Sequence, residues 1–147
     1  AKATEIASKV DSVGDATEKS VIQFSAPMHG FLESAGTVKV AVQRIGVPDQ
    51  TIVVHYETRD GTASAGEDYI EASGDLTFAP GELVKDIAVT LVDDNQWEPD
   101  ETFDIVLSFP EKQPDDCRGA QLGDPSVSTI TIINDDNVGI EFSLSTF

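Results

Sequence analysis

The sequence predicts an all-β fold, a seven-stranded antiparallel β-sandwich. From residue 20 onward, short runs rich in Val, Ile, Thr, Tyr and Phe alternate with Gly, Pro and Asp clusters about every ten residues, as in sandwich domains. Within several runs, large apolar side chains occupy every second position, which is the period of a strand with one buried face. Both features favour two packed sheets over a helical fold.

The predicted strands are named A to G in chain order. They cover residues 21–25, 36–44, 51–57, 69–78, 83–91, 102–109 and 126–133. Alternation in strands B, E, F and G predicts the core side chains Val38, Val40, Val42, Ile87, Val89, Leu91, Phe103, Ile105, Leu107, Ile130 and Ile132. Seven such strands predict an immunoglobulin-like sandwich.

The domain organisation follows from changes in composition along the chain. Residues 1–19 contain few large apolar side chains, so we expect a mobile leader there. Residues 20–136 form the predicted sandwich domain. Residues 137–147 are interpreted as a linker and the start of a following domain, because GIEFS at residues 139–143 resembles VIQFS at residues 21–25.

Charge and composition exclude several classes of function. The 147 residues include 27 Asp and Glu against 9 Lys and Arg, which gives a net charge of −18. Such a charge repels phosphate backbones and attracts cations, so nucleic acid is excluded as a partner. No apolar run approaches the roughly 18 residues of a membrane span, so we expect no direct membrane insertion by this fragment. The single Cys117 cannot form an internal disulfide.

Acidic residues are expected to gather at one end of the predicted sandwich. When successive strands alternate in direction, the A–B, C–D and E–F connections share one end with the exit of strand G. Arg59 is the only opposing charge predicted there. These four segments supply eleven carboxylates: Glu33, Asp60, Glu67, Asp68, Asp93, Asp94, Glu98, Asp100, Glu101, Asp135 and Asp136. Neighbouring carboxylates repel by roughly 1–4 kcal/mol per pair, so the cluster predicts a bound cation.

Calcium suits these irregular loops better than other cations. It takes six to eight oxygen ligands in loose geometry, whereas magnesium requires a near-octahedron. Zinc is disfavoured because Cys117, His29 and His55 show no ligand spacing. Trp97, within the E–F connection, is interpreted as a hydrophobic pin that holds this loop against the sandwich.

The acidic cluster also admits two roles that involve no metal ion. Acidic loops are often merely solvated and hold no ion. Paired carboxylates also catalyse glycoside hydrolysis. Because the carboxylates come from four separated segments and are more numerous than a catalytic pair, we favour metal binding and predict that the chain is not an enzyme.

A series of ordered motifs resembles one known family. The motifs are YETRDGTA at residues 56–63, DY at 68–69, FAPG at 78–81, VDD at 92–94, EPDETF at 98–103 and INDD at 133–136. Together they resemble the Calx-beta domain over about residues 21–140. Within the family, LGDPS at residues 122–126 followed by the acidic end of strand G is most similar to the first calcium-binding domain of sodium/calcium exchangers.

The resemblance implies a set of calcium ligands. Asn134 stands where the family has an Asp and retains a carbonyl oxygen, and Gln96 stands where a backbone carbonyl serves. Asn95 replaces another Asp, so we expect fewer or weaker ions than the most acidic family members hold. The implied metal ligands are Glu33, Asp68, Asp93, Asp94, Gln96, Glu98, Glu101, Asn134, Asp135 and Asp136.

The resemblance also implies a function and partners. We expect a calcium-binding regulatory domain in the cytoplasmic loop of a sodium/calcium exchanger, a plasma-membrane protein, with calcium as the bound ion and a following Calx-beta domain as partner. The alternative is a structural or adhesive Calx-beta repeat of a cell-surface or extracellular protein. A third interpretation, which does not come from the resemblance, is a carbohydrate-active or carbohydrate-binding module that uses the acidic cleft.

Overall fold

Nine β-strands and one short 3-10 helix, Glu33–Ala35, follow one another in a computed structural model that describes residues 19–93 and 96–135. The strands are β1 (Ser20–Phe24), β2 (Met28–Leu32), β3 (Thr37–Gly46), β4 (Ile52–Asp60), β5 (Ser73–Phe78), β6 (Val84–Thr90), β7 (Glu101–Ser108), β8 (Ala120–Leu122) and β9 (Val127–Ile133). The described part of the chain contains no helix long and apolar enough to cross a membrane. The predicted leader and the predicted linker, residues 137–147, lie outside the described residues apart from Lys19.

The strands form two sheets, so the predicted sandwich class is confirmed. One sheet has the order β6-β3-β1-β8 and the other the order β2-β9-β7-β4-β5. The prediction of purely antiparallel pairing is wrong at two edges. There β1 pairs with β8, and β2 pairs with β9, in parallel. The chain moves from one sheet to the other between β1 and β2.

The count of seven strands is wrong because the two additional strands, β2 and β8, are short edge strands. In β2, Met28, Gly30 and Leu32 are exposed and the other two residues are half-buried, so no apolar alternation marks it. β8 has three residues, which is too short for any period to appear. Each pairs with one neighbouring strand, and each packs only partly buried apolar side chains against the core, Phe31 from β2 and Ala120 and Leu122 from β8.

The predicted strand D begins four residues too early. Residues 69–72 do not belong to β5, which starts at Ser73. Tyr69 instead forms an isolated bridge with Leu91, and the Ile70 amide donates to the Thr90 carbonyl at 2.9 Å. The predicted strand C ends three residues too early, since β4 continues to Asp60. Both differences concern the end of the molecule at which the acidic residues gather.

The interior matches the predicted core. All eleven apolar side chains predicted from alternation are buried. Phe103 is one of these eleven, and the fully buried rings of Phe24, Tyr69 and Phe78 join them in the core. Burial of each large apolar side chain contributes about 1.5–3 kcal/mol, so this interior dominates the stability of the fold.

Strand register brings four segments to one end of the sandwich. β3 begins where β6 ends, since Thr37 pairs with Thr90. β7 begins where β4 and β9 end, since Phe103 pairs with Asp60 and Glu101 pairs with Ile132. The β2–β3, β4–β5 and β6–β7 connections therefore share an end with the exit of β9, as the alternation of strand direction predicts.

A buried arginine closes the opposite end. Arg44, 3% exposed, donates from its guanidinium to the carbonyls of Gln50 at 2.6 Å, Pro48 at 2.9 Å and Phe78 at 3.0 Å. Its guanidinium carbon also lies 5.6 Å from the centre of the Phe78 ring. One cation thus donates to carbonyls of β5 and of the β3–β4 connection. Those of Gln50 and Phe78 belong to fully buried residues, whereas the Pro48 carbonyl also accepts from the Gly81 amide at 2.7 Å.

Replacement of Arg44 by Met is expected to lower the free energy of unfolding by about 2–4 kcal/mol, because the buried carbonyls lose a charged donor. Urea denaturation of the metal-free protein measures the change. Lys39→Met, on the exposed face of the same strand, serves as the control and should shift the free energy by no more than about 0.5 kcal/mol. An R44M midpoint equal to that of K39M would contradict the assigned role.

Candidate metal centre

Four chain segments deliver carboxylates to the acidic end. Glu33 lies in the 3-10 helix directly after β2, and Asp68 lies in the β4–β5 connection. The β6–β7 connection supplies Asp93 and Glu98, and Glu101 is the first residue of β7. Asp135 follows β9. The site is therefore built from segments that are distant in sequence and adjacent only because of the strand register.

These six carboxylates form two groups of three. Glu33, Asp93 and Asp135 make the first triad, and Asp68, Glu98 and Glu101 make the second triad. Within each triad the carboxylate oxygens lie within 4.8 Å of one another. Calcium binds oxygens at about 2.3–2.6 Å, so oxygens on opposite sides of one ion are about 5 Å apart. The spacing in each triad fits three oxygens around a single calcium ion.

The two triads adjoin one narrow cleft. Its walls include Glu33 of the first triad and all three carboxylates of the second triad. Pro99, Ile132 and Asn134 complete the lining. Glu33 is only 5% exposed, whereas Asp93 and Asp135 are exposed. A cation in the first triad would therefore meet one buried ligand and two that face solvent.

The β4–β5 connection is shaped by close contact with the start of β7. A Cβ atom on Gly61 would lie 2.6 Å from the Thr102 carbonyl oxygen, so only glycine fits there. The Ala63 amide donates to the same carbonyl at 2.8 Å, and the Thr102 amide donates to the Thr62 hydroxyl at 2.8 Å. These contacts hold the connection beside Glu101, the neighbour of Thr102.

Hydrogen bonds orient individual ligands. The Ser64 amide donates to Asp68 Oδ2 at 2.8 Å, and the Asp68 amide donates to the Ser64 carbonyl at 2.8 Å, which closes a tight turn. The Ser34 hydroxyl donates to Asp135 Oδ2. The Asn134 amide donates to Asp100 Oδ1 at 3.0 Å, so Asp100 fixes the exit of β9. Such supporting contacts raise the precision of a metal site.

The second triad carries unbalanced negative charge. The pKa of Glu101 is raised above its ordinary value, first by burial and then by Asp68, with which it shares a hydrogen bond. The charges of Glu98 and Glu67 raise it further. Arg59 does not relieve this repulsion directly, since its Nε donates to Glu57 at 3.1 Å. A bound cation would remove the repulsion that raises this pKa.

Some of the predicted carboxylates have structural roles in place of a position in a triad. Asp60 accepts hydrogen bonds from the Tyr69 hydroxyl at 2.5 Å and from the Ala65 amide at 2.9 Å, and these bonds hold its pKa below the ordinary value. Asp100 caps the Asn134 amide. Glu67 lies close enough to raise the pKa of Glu101 but belongs to neither triad.

The other four predicted ligands belong to neither triad, and ligation by any of the ten stays a prediction. Gln96 is exposed on the β6–β7 connection, and Asn134 lines the cleft. Asp94 and Asp136 lie outside the described residues. The prediction that Trp97 is a pin is wrong, because 55% of its surface is exposed. Its position in an irregular loop, rather than on a strand with a fixed face, made its burial unpredictable from alternation.

Comparison with known proteins finds one matching family profile and similar segments in sodium/calcium exchangers. The Calx-beta domain profile matches residues 15–136. The chain is 38% identical over 133 residues to sodium/calcium exchanger 1 of Canis lupus familiaris, which covers 82% of this chain and 14% of the exchanger. It is 36% identical over 117 residues to sodium/calcium exchanger Calx of Drosophila melanogaster, covering 80% of this chain and 12% of that protein. The chain thus spans about one seventh of the length of these relatives.

Nearly the whole of one solved structure also superposes on this fold. The crystal structure of the apo-form Calx CBD1 domain superposes with a TM-score of 0.72 at 33% identity, covering 80% of this chain and 98% of that chain. The crystal structure of CBD12 from CALX1.2 superposes with a TM-score of 0.71 at 34% identity, covering 79% of this chain and 46% of that chain. The second match leaves half of a larger protein uncovered.

Glu101→Gln is expected to raise the stability of the metal-free protein at pH 7 by about 0.2–1 kcal/mol, because one charge of a partly exposed repelling group disappears. A raised pKa in the folded state means that wild-type stability increases as pH falls through the Glu101 pKa. The advantage of the variant should therefore shrink toward pH 4. Thermal unfolding in chelator measures both effects. Glu111→Gln, an exposed glutamate in the β7–β8 connection, is the control, and a pH-independent gain in E101Q would contradict the repulsion.

Proposed function

The chain belongs to the Calx-beta family, as its motifs predict, and from this premise we propose that it is a calcium-binding regulatory domain. The observation that supports the proposal is the gathering of two acidic triads from four separate segments around one cleft. Solvated acidic loops have no reason to bring three half-buried carboxylates, those of Asp68, Glu98 and Glu101, within 4.8 Å of one another. The domain binds several calcium ions and catalyses no reaction.

The proposed ligands divide between two neighbouring positions. Glu33, Asp93 and Asp135 hold one ion, and Asp68, Glu98 and Glu101 hold another. Three carboxylates leave room for carbonyl and water oxygens in a six- to eight-fold shell. Four residues complete the proposed ligand set on sequence grounds: Asp94, Gln96, Asn134 and Asp136.

The β6–β7 connection is the proposed transmitting element. It supplies Asp93 to the first triad and Glu98 to the second triad, so ligation in either triad restrains the same loop. Asp135 at the exit of β9 joins the first triad, and the Asp100 contact with Asn134 ties that exit to the same loop. Calcium binding would therefore favour one path of the chain where it leaves the sandwich, which is a shift of population between conformations.

The proposed setting is the cytoplasmic loop of a sodium/calcium exchanger in the plasma membrane. Support comes from the identity to exchangers over 82% of this chain. A following Calx-beta domain is the proposed partner, supported by the match to the larger CBD12 structure. The residue range proposed for this domain is 20–136, with a leader before it and a linker after it.

Calcium titration by calorimetry on chelator-stripped protein tests the function. We expect saturable binding with dissociation constants of roughly 10⁻⁷ to 10⁻⁵ M, as for cytosolic sensors. Asp68→Asn should abolish binding at the second triad, and Glu33→Gln at the first, so that each variant loses part of the stoichiometry. Asp86→Asn removes the same charge from the exposed face of β6 and should bind as the wild type does.

The alternatives give different results in the same titration. Binding near 10⁻⁴ to 10⁻³ M would favour a structural or adhesive repeat outside the cell. Equal loss of affinity in D68N, E33Q and D86N would indicate diffuse attraction to a charged surface. Absence of binding in the wild type would overturn the proposal.

Calcium should also raise thermal stability through preferential binding to the folded state. At a free concentration of 100 times the dissociation constant, each occupied site adds about 2.7 kcal/mol. Calorimetric unfolding with calcium, with magnesium and with chelator measures this gain. Magnesium should reproduce little of it, because it demands regular octahedral geometry. Equal gains from both ions would contradict a calcium-selective site.

A further inference from the structure

One buried tyrosine directly follows Asp68, which lines the acidic cleft. Tyr69 is 1% exposed, and its ring stacks on Phe103 with centres 3.9 Å apart and planes within 10° of parallel. Phe103 lies two residues after Glu101 on the same face of β7. Ring stacking holds Tyr69 against β7 but is weakly directional within the ring plane. A second contact is needed to fix where along that plane the ring sits.

The Tyr69 hydroxyl supplies that contact. It donates to Asp60 Oδ1 at 2.5 Å, and the Ala65 amide donates to the same oxygen at 2.9 Å. Hydrogen bonds to a carboxylate are short and about twice as strong as those between neutral groups. Asp60 ends β4 and belongs to neither triad. Because it is not a triad ligand, its carboxylate is available to anchor the Tyr69 hydroxyl.

The backbone beside Tyr69 joins the two triads. Asp68 of the second triad directly precedes Tyr69, and its carbonyl accepts from the Val92 amide at 3.0 Å. Val92 directly precedes Asp93 of the first triad. Tyr69 also bridges Leu91. A displacement of Tyr69 would therefore reach one ligand of each triad through a single peptide contact.

We propose that Tyr69 is a positioning residue of the calcium site, whose hydroxyl, anchored on Asp60, sets the alignment of Asp68 and of Asp93. The inference rests on the proposed calcium-binding function. It assigns Asp60 a role distinct from ligation, since this carboxylate holds the tyrosine while the six triad carboxylates hold ions. Tyr69 touches no ion itself.

The test compares Tyr69→Phe, Asp60→Ala and the double variant in calcium titrations. Removal of a supporting contact typically weakens metal affinity about 10- to 100-fold, so we expect each single variant to lose about tenfold or more. The double variant should lose no more than D60A alone, because both changes break the same bond. If Asp60 acted only through its charge, the two losses would multiply. That result would overturn the proposal.

Tyr56→Phe is the matched control. Tyr56 is half-buried in the middle of β4, where its hydroxyl lies over Gly74 and away from both triads. Its calcium affinity should stay within about twofold of the wild type. Near-ultraviolet circular dichroism verifies that each variant is folded, and D60A keeps the proposal testable if Y69F is not, since Asp60 is exposed.

Amide hydrogen exchange in chelator separates this proposal from the calcium-binding function. The Val92 and Ser64 amides, which donate to Asp68, should exchange faster in Y69F and D60A than in the wild type. If the wild type binds calcium, and folded Y69F and D60A bind it with the same affinity, the positioning role of Tyr69 is overturned while the proposed function stands. If the wild type bound no calcium, the proposed function would fail, and unchanged exchange at Val92 and Ser64 would then overturn the positioning role as well.

Discussion

Mutual repulsion among carboxylates is the constraint around which this molecule is organised. Six carboxylates lie within two small groups, and the pKa of Glu101 is raised first by burial and then by the charges of Asp68, Glu98 and Glu67. The sandwich tolerates the repulsion because strand register, turns and backbone contacts elsewhere hold the four contributing segments. Strand pairing in β3, β7 and β9 thus holds the carboxylate-bearing segments in place, and the loops contribute most of the carboxylates.

The two ends of the sandwich differ in the sign of the charge that they concentrate. At one end the guanidinium of Arg44 donates from both terminal nitrogens to carbonyls of the chain itself. Gln50 works beside it, with a side-chain amide that donates to Ser20 Oγ and to the Gly119 carbonyl, both at 2.9 Å. At the other end six carboxylates lie in two groups beside one cleft. An end that contains a buried cation and an end rich in carboxylates therefore share one core.

Much of this could be predicted from sequence, because alternation with period two reports which face of a strand is buried. The core side chains of β3, β6, β7 and β9 follow directly, and the common end of four segments follows from strand direction. The edge strands β2 and β8 could not be predicted, since β2 has no regular apolar alternation and β8 is only three residues long. Nor could the division into triads, which depends on loop paths. Asp60 and Asp68 look alike in sequence, yet one anchors Tyr69 and the other faces the cleft.

The positions of β1 and β9 within their separate sheets have a mechanical consequence. The described chain enters through β1 at the end closed by Arg44 and leaves from β9 at the acidic end. Each of these two strands lies between two neighbours, β3 and β8 in one sheet, β2 and β7 in the other. Tension applied between residues 19 and 135 would load both strands lengthwise, so that rows of hydrogen bonds would have to break together rather than one after another. Force passing along the polypeptide would thus meet its resistance at two strands, β1 and β9, the second of which ends just before Asp135.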